Sequence, residues 1–382
     1  MRARGTRALA VFLGVFALAL LAGELVFRVR TPQPARQALR NFRAHLLTGA
    51  LRDWEPRAYT VFQLPRHGRW SNSLGFLGDE WPRSKAPGVP RIVCLGGSTT
   101  QCGNKSGLPG SYPYLLELEL EARTGRDFET LNAGISGWTS AEMLVSWFLT
   151  LQDLAPDVLV LHEAVNDLEP RFRTGFEPDY SHWRRPIQTT RVQGTERWLV
   201  RWSDLYVYLR LRGGKAADIL AASTYPLGPL EPLLAEGKLP HATSLAFRRN
   251  ITNIALSAAR GGTRVALMTL PTGPAEVNAF WRYGVAENNQ HLRELCAEHG
   301  FLLVDAARAF EARPDLTPHF IDMVHLEAPG NRFKAELVAE ALSSWLAALP
   351  SEGARPPPAP SSPETSPASP PAKKRRARNE KK

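Results

Sequence analysis

Four short segments carry residues that could do chemistry together. The first is Ile92-Val93-Cys94-Leu95-Gly96-Gly97-Ser98-Thr99-Thr100, an apolar run that meets two glycines and then a serine. The glycines allow a sharp backbone turn that would leave the Ser98 hydroxyl exposed in a crevice. A serine hydroxyl is a weak nucleophile near neutral pH and needs a base beside it. The second segment, Asp322-Met323-Val324-His325, offers one. An Asp and a His three residues apart converge when the turn between them is tight, so that Asp322 holds the Nδ1 proton and Nε2 faces a serine. Leu131-Asn132-Ala133-Gly134 and Ala164-Val165-Asn166-Asp167 complete the set. Each follows an apolar run. A backbone N–H at Gly134 and the Asn166 amide could donate to an oxygen that becomes negative during acyl transfer, with the Ser98 N–H as a third donor. Taken singly, each segment is ordinary turn chemistry or a capping Asp beside a surface His.

The elements that must position these residues follow from periodicity. Arg91–Leu95, Phe128–Leu131, Val158–His162, Arg264–Leu270 and Phe301–Val304 read as short buried strands. Ser111–Arg123, Ser140–Leu151, Ser244–Arg260, Phe280–His299 and Asn331–Leu349 read as helices between and after them. Strands alternating with helices imply a parallel sheet covered on both faces. Each segment of interest then falls at a strand's carboxyl end, or just before the last helix. In segment 168–243 the alternation breaks. Thr195–Arg212 there has Trp198, Trp202, Leu205, Tyr206 and Leu209 at helical spacing. Such a helix would pack on the core, cover the site as a lid, or lie on a bilayer.

The order GGS, NAG, AVND, DMVH resembles the four blocks of the SGNH/GDSL hydrolases, named for Ser, Gly, Asn and His. Asn72-Ser73-Leu74-Gly75-Phe76 is similar to the lead-in of exported bacterial members, and His325-Leu326 with Pro329-Gly330-Asn331 to their closing block. The resemblance spans about Arg69 to Leu346. It implies an α/β fold, a flavodoxin-like three-layer α/β/α sandwich with a central parallel sheet. It implies Ser98 as nucleophile, His325 as general base and Asp322 as its orienter, with Ser98, Gly134 and Asn166 as oxyanion donors. No metal and no cofactor are expected. The departures are GGS for GDS, Ala164 where glycine is usual, and Leu77 where arginine is expected. His162 reads as a buried imidazole, and Glu163 receives no role. Asp167 is expected to bond the neighbouring backbone. Trp138 is expected to line a pocket or pack in the core, and His241 to lie in a surface loop.

The ends of the chain differ in character. Ala8–Gly23 is apolar, preceded by Arg2, Arg4 and Arg7 and extended past Glu24 by Leu25, Val26 and Phe27. It reads as a single-pass membrane anchor with the rest of the chain outside, or as a cleaved signal segment. Residues 31–68 read as a stalk or lead-in, 69–349 as the hydrolase domain with an insertion over 168–243, and 350–382, rich in Pro and Ser, as a disordered basic tail. Residues 1–30 hold five Arg against one Glu, and 351–382 eight basic residues against three acidic. Of the net charge of +10, about +1 therefore falls on residues 31–350. A near-neutral body disfavours nucleic acid as partner. Three cysteines, Cys94, Cys102 and Cys296, exclude a full disulfide framework, though a Cys102–Cys296 bridge stays open. The expected function is hydrolysis of a sugar, lipid or other small-molecule ester outside the cytoplasm. The alternatives are O-acyl transfer on an exported glycan, or a non-catalytic envelope protein on the same scaffold.

Overall fold

The computed structural model describes residues 2–48, 54–68, 70–102, 108–173, 175–183, 192, 194–212, 241–274 and 279–347. The tail 350–382 lies outside them. Five strands form the central sheet: β3 (Arg91–Gly96), β4 (Glu129–Gly134), β5 (Val158–His162), β6 (Arg264–Met268) and β7 (Leu302–Val304). They are all parallel, in the order β4-β3-β5-β6-β7. The order reverses between β3 and β5, and the crevice beyond the strand ends at such a switch point is where ligands gather in this architecture.

Side chains alternate along each strand, so each face feeds its own core. Val93, Leu95, Leu159, Leu161, Val265 and Leu267 pack with Met143, Trp147, Phe247, Ile251, Leu292 and Leu295. These belong to or flank α5 (Ser140–Ser146), α9 (Leu245–Arg260) and α10 (Ala279–His299). Ile92, Cys94, Val158, Val160, Ala266 and Met268 face the other way, onto Leu115, Leu116 and Leu120 of α4 (Tyr112–Thr124) and Ala335, Val338 and Leu342 of α12 (Ala328–Ala347). The three layers expected from the alternation are therefore present. The three cysteines are free.

The lead-in is built into the domain rather than standing off as a stalk. A hairpin, β1 (Glu55–Arg57) with β2 (Val61–Gln63), sends Phe62 into the core, and the Phe62 carbonyl accepts the Trp138 indole N–H at 2.9 Å. The Asn72 carboxamide oxygen accepts the N–H groups of Leu74 and Phe76, and Phe76 stacks on Trp81 at 4.9 Å. Leu77, where arginine was expected, is buried.

The amino-terminal expectation needs correcting. The apolar run does form a helix, α1 (Arg2–Arg30), but no helix among the described residues is long and apolar enough to cross a membrane. Glu24, which follows the run Ala8–Gly23, is bound within the protein: its carboxylate accepts from Ser203 Oγ and from the N–H groups of Asp204 and Leu205, and so caps α8 (Asp204–Arg212). The stretch expected as one helix over Thr195–Arg212 is accordingly two, α7 (Gly194–Trp202) and α8, parted at Ser203. α2 (Gln33–Thr48) packs its Leu39, Phe42 and Leu46 against Val200 and Val207 of this pair.

Replacing Trp138 by Phe keeps most of the ring and removes the N–H that the buried Phe62 carbonyl accepts. The variant should lose about 1–3 kcal/mol of stability with an unchanged denaturant slope, measurable by urea unfolding.

Candidate active site

β3 delivers its last residue, Gly96, into a turn too tight for a side chain. A Cβ on Gly96 would meet Thr100 Oγ1 at 2.2 Å and the His162 carbonyl at 2.3 Å. Ser98 then opens the single-turn helix α3 (Ser98–Gln101), where its N–H has no carbonyl one turn back to bind. The far end of this turn is tethered. Lys334 of α12, fully buried, donates from Nζ to the Thr99 carbonyl at 2.7 Å and lies 4.8 Å from the Tyr112 ring centroid. Burial pulls the Lys334 ammonium below its ordinary value.

His325 meets Ser98 across the width of the chain. Its Nε2 lies 2.6 Å from Ser98 Oγ, and its Nδ1 lies 2.7 Å from Asp322 Oδ2. The other carboxylate oxygen, Oδ1, accepts the N–H groups of Val324 at 2.9 Å and His325 at 2.8 Å. Burial alone would raise the Asp322 carboxyl. These two N–H groups and the His325 ring outweigh it and hold the group below the usual range. An ionised Asp322 fixes the tautomer with the proton on Nδ1 and leaves Nε2 to accept from Ser98.

The oxyanion side departs in part from expectation. Asn166 lies beside Ser98 in a cavity of about 190 Å³ lined also by Gly137, Val165, Glu169, Trp183, Trp281, Val324 and His325. Gly134 is not there. It is the last residue of β4, paired with Gly96; its N–H donates to Asn132 Oδ1 at 3.1 Å, and a Cβ on it would sit 2.2 Å from the Gln101 nitrogen, behind α3. Gly137, three residues further on and at a φ of 78°, supplies the backbone that faces the cavity. A second glycine three residues after Gly134 was visible in the sequence, but only the strand register shows that it is the one beyond the sheet.

Two buried acids shape this edge. Glu163 ends the apolar run of β5, and its Oε1 accepts three successive N–H groups: Ala164 at 3.0 Å, Val165 at 2.7 Å and Asn166 at 2.7 Å. Burial and the neighbouring Asp167 push its carboxyl up to about 8 against those donors. Asp167 does not bond its own turn as expected. It reaches across to Ser140, accepting both its N–H and its hydroxyl, and to the Tyr180 hydroxyl at 2.7 Å. Burial pushes Asp167 up to about 6. Ala164 does not take a left-handed backbone, so the glycine usual there is dispensable. His162 is buried as expected, with Nδ1 3.3 Å from the Met268 carbonyl. Trp138 belongs to the core; only its carbonyl serves the site, accepting Asn166 Nδ2 at 2.8 Å. The side chain of His241 lies outside the described residues.

A serine on a tight turn, an oriented imidazole and amide donors around one small cavity are the parts an acyl-transfer hydrolase requires. The sequence matches the model of the GDSL-like lipase/acylhydrolase family over residues 94–333, and the chain belongs to that family. It is a carboxylic ester hydrolase by class. No curated protein matches it. Solved structures similar to it include a GDSL-like lipase of Parabacteroides merdae, at 19% identity over 66% of this chain and 95% of that one, with a TM-score of 0.42. A lipase/acylhydrolase of Enterococcus faecalis is 16% identical over 67% of this chain and 97% of that one, with a TM-score of 0.42. An acetyl-xylooligosaccharide esterase of Geobacillus stearothermophilus is 15% identical over 70% and 97%, also with a TM-score of 0.42.

The two raised acids bind protons more tightly in the folded chain than in the unfolded one. Their stabilising protonation is complete below the unfolded carboxyl range of about 4 and is lost as pH climbs towards 8. Glu163→Gln cannot ionise at this position. Its melting temperature relative to the unmodified protein should therefore rise between pH 5 and pH 9 in differential scanning calorimetry; a difference that stays constant would contradict the assignment.

Proposed function

We propose that the protein hydrolyses short-chain acyl esters by a two-step route through a Ser98 acyl-enzyme. The 2.6 Å contact between His325 Nε2 and Ser98 Oγ carries this reading. Ser98 Oγ attacks the ester carbonyl while its proton passes to His325 Nε2, and the Asp322 carboxylate stabilises the imidazolium that results. The carbonyl oxygen becomes an oxyanion beside the Ser98 N–H, the Gly137 backbone and the Asn166 amide. Collapse expels the alcohol, which takes the proton from His325. Water then attacks the acyl-enzyme by the same proton path, and Ser98 is regenerated.

The cavity favours a small acyl group. Its ~190 Å³ falls below the roughly 300–1,000 Å³ of pockets that enclose drug-sized ligands. Its Trp183 and Trp281 walls suit the apolar face of a sugar, and a sugar O-acetyl ester is the substrate class we favour. We also place the domain outside the cytoplasm, at a membrane surface. Three arginines before the apolar run support this, as do the exposed Val11, Phe12, Val15 and Phe16 of α1 and the exposed Trp198 and Trp202 of α7.

Ser98→Ala should abolish turnover of p-nitrophenyl acetate, and Asp322→Asn should lower kcat by about 10³- to 10⁴-fold with little change in KM. Across p-nitrophenyl esters, kcat/KM should fall steeply beyond butyrate; a laurate ester turned over as fast as acetate would reject the small-acyl reading. Full-length protein should float with phosphatidylglycerol vesicles in a density gradient, and a chain beginning at Glu24 should not. Equal behaviour of the two would reject attachment through α1.

A further inference from the structure

Glu163 does not line the cavity beside Ser98, yet it holds a group that does. Oε1 collects the three N–H groups of residues 164–166, which fixes the turn carrying Asn166. Oε2 accepts the Asn166 Nδ2 at 3.2 Å. The same Nδ2 donates to the Trp138 carbonyl at 2.8 Å, so the carboxamide is gripped from two sides. The space around the grip is closed. A Cβ on Gly97 would lie 2.3 Å from Glu163 Oε2 and 2.4 Å from Asn166 Nδ2, directly beneath the turn that presents Ser98. No other described side chain bonds both that turn and the Asn166 carboxamide.

We propose that Glu163 is a positioning residue for the reaction, aiming the Asn166 carboxamide at the developing oxyanion through one oxygen while the other sets the turn. The inference rests on the esterase reading, since it concerns the donor that stabilises that oxyanion. An amide nitrogen has two protons, and here both are directed by the protein, to Trp138 and to Glu163. The carboxamide plane is thereby fixed before substrate arrives, and only a small rotation moves one proton from Glu163 Oε2 towards the substrate oxygen. Preorganisation of this kind spares reorganisation during the chemical step. Because three N–H groups demand an acceptor at Oε1, a glutamine at 163 must place its own NH2 at the Oε2 position. Two donors then face each other, and the Asn166 side chain is pushed out of line while the turn survives.

The test is a double-mutant cycle on p-nitrophenyl acetate with Glu163→Gln, Asn166→Ala and the pair, run at pH 9, where Glu163 is largely ionised and its Oε2 accepts from Asn166. Glu163→Gln should lower kcat by about 10- to 100-fold, less than or equal to the loss of a whole oxyanion donor, with KM within about twofold. The double variant should be no slower than Asn166→Ala alone, because the effect of Glu163 runs through Asn166. A kcat within twofold of the unmodified enzyme in Glu163→Gln, or penalties that multiply in the double variant, would overturn the proposal. Should Glu163→Gln not fold, hydrogen exchange of the Asn166 side-chain amide in the unmodified protein decides, its resonance being the one missing from Asn166→Ala. Strong protection is expected, and exchange at the rate of an exposed carboxamide would refute the grip. Retained turnover in Ser98→Ala would instead sink the esterase reading itself, so the two ideas fail by different measurements.

Discussion

The contact on which the molecule's chemistry depends joins two side chains 227 positions apart, Ser98 and His325. Neither local structure could make it alone. Ser98 is fixed by the end of β3, an inner strand of the sheet. His325 rides a loop that closes on itself: Glu327 N–H donates to the His319 carbonyl at 2.8 Å, and Ile321 N–H to the His325 carbonyl at 2.8 Å. Gly273, past the end of β6, pins the same loop by donating to the Met323 carbonyl at 2.7 Å. α12, which starts just after the loop, returns Lys334 to the turn after Ser98. The Ser98 turn and the His325 loop are thus clamped to each other by elements from opposite ends of the domain. A static clamp of this sort holds the hydroxyl and imidazole at proton-transfer distance without induced closure.

Around this contact the protein accepts unfavourable local terms. Glu163, Asp167 and Lys334 are all buried, and each is displaced from its ordinary protonation range by that burial. Glu163 and Asp167 are each compensated by several hydrogen bonds, and Lys334 by the Thr99 carbonyl and the Tyr112 ring. The apolar layers on both faces of the sheet supply the stability against which these terms are set.

Much of this was legible in the sequence, and the failures have physical causes. The strands and helices of the sandwich announce themselves because a parallel sheet buried on both faces writes continuous apolar runs such as Val158–Leu161. Ser98, Asp322, His325 and Asn166 were legible because their positions follow from strand ends and a tight turn. The glycine that faces the cavity was not, because in Asn132-Ala133-Gly134-Ile135-Ser136-Gly137 spacing cannot say which glycine lies past the last rung of the ladder. Register decides it: Gly134 still pairs with Gly96, so Gly137 is the one beyond the sheet. Glu163 left a faint signal, an acid closing a strand with no other charge. Its role needed three N–H directions that no sequence displays. Nor does the sequence show the partners of Glu24, which lie some 180 residues away on α8.

The most direct measurement of the central claim is labelling by a fluorophosphonate, which reacts with a serine only when a neighbouring base activates it. Mass spectrometry of the labelled protein should place one adduct on Ser98, and His325→Ala should reduce the labelling rate by orders of magnitude. Labelling of Ser98 that is as fast without the imidazole as with it, or an adduct on a different serine, would contradict the account.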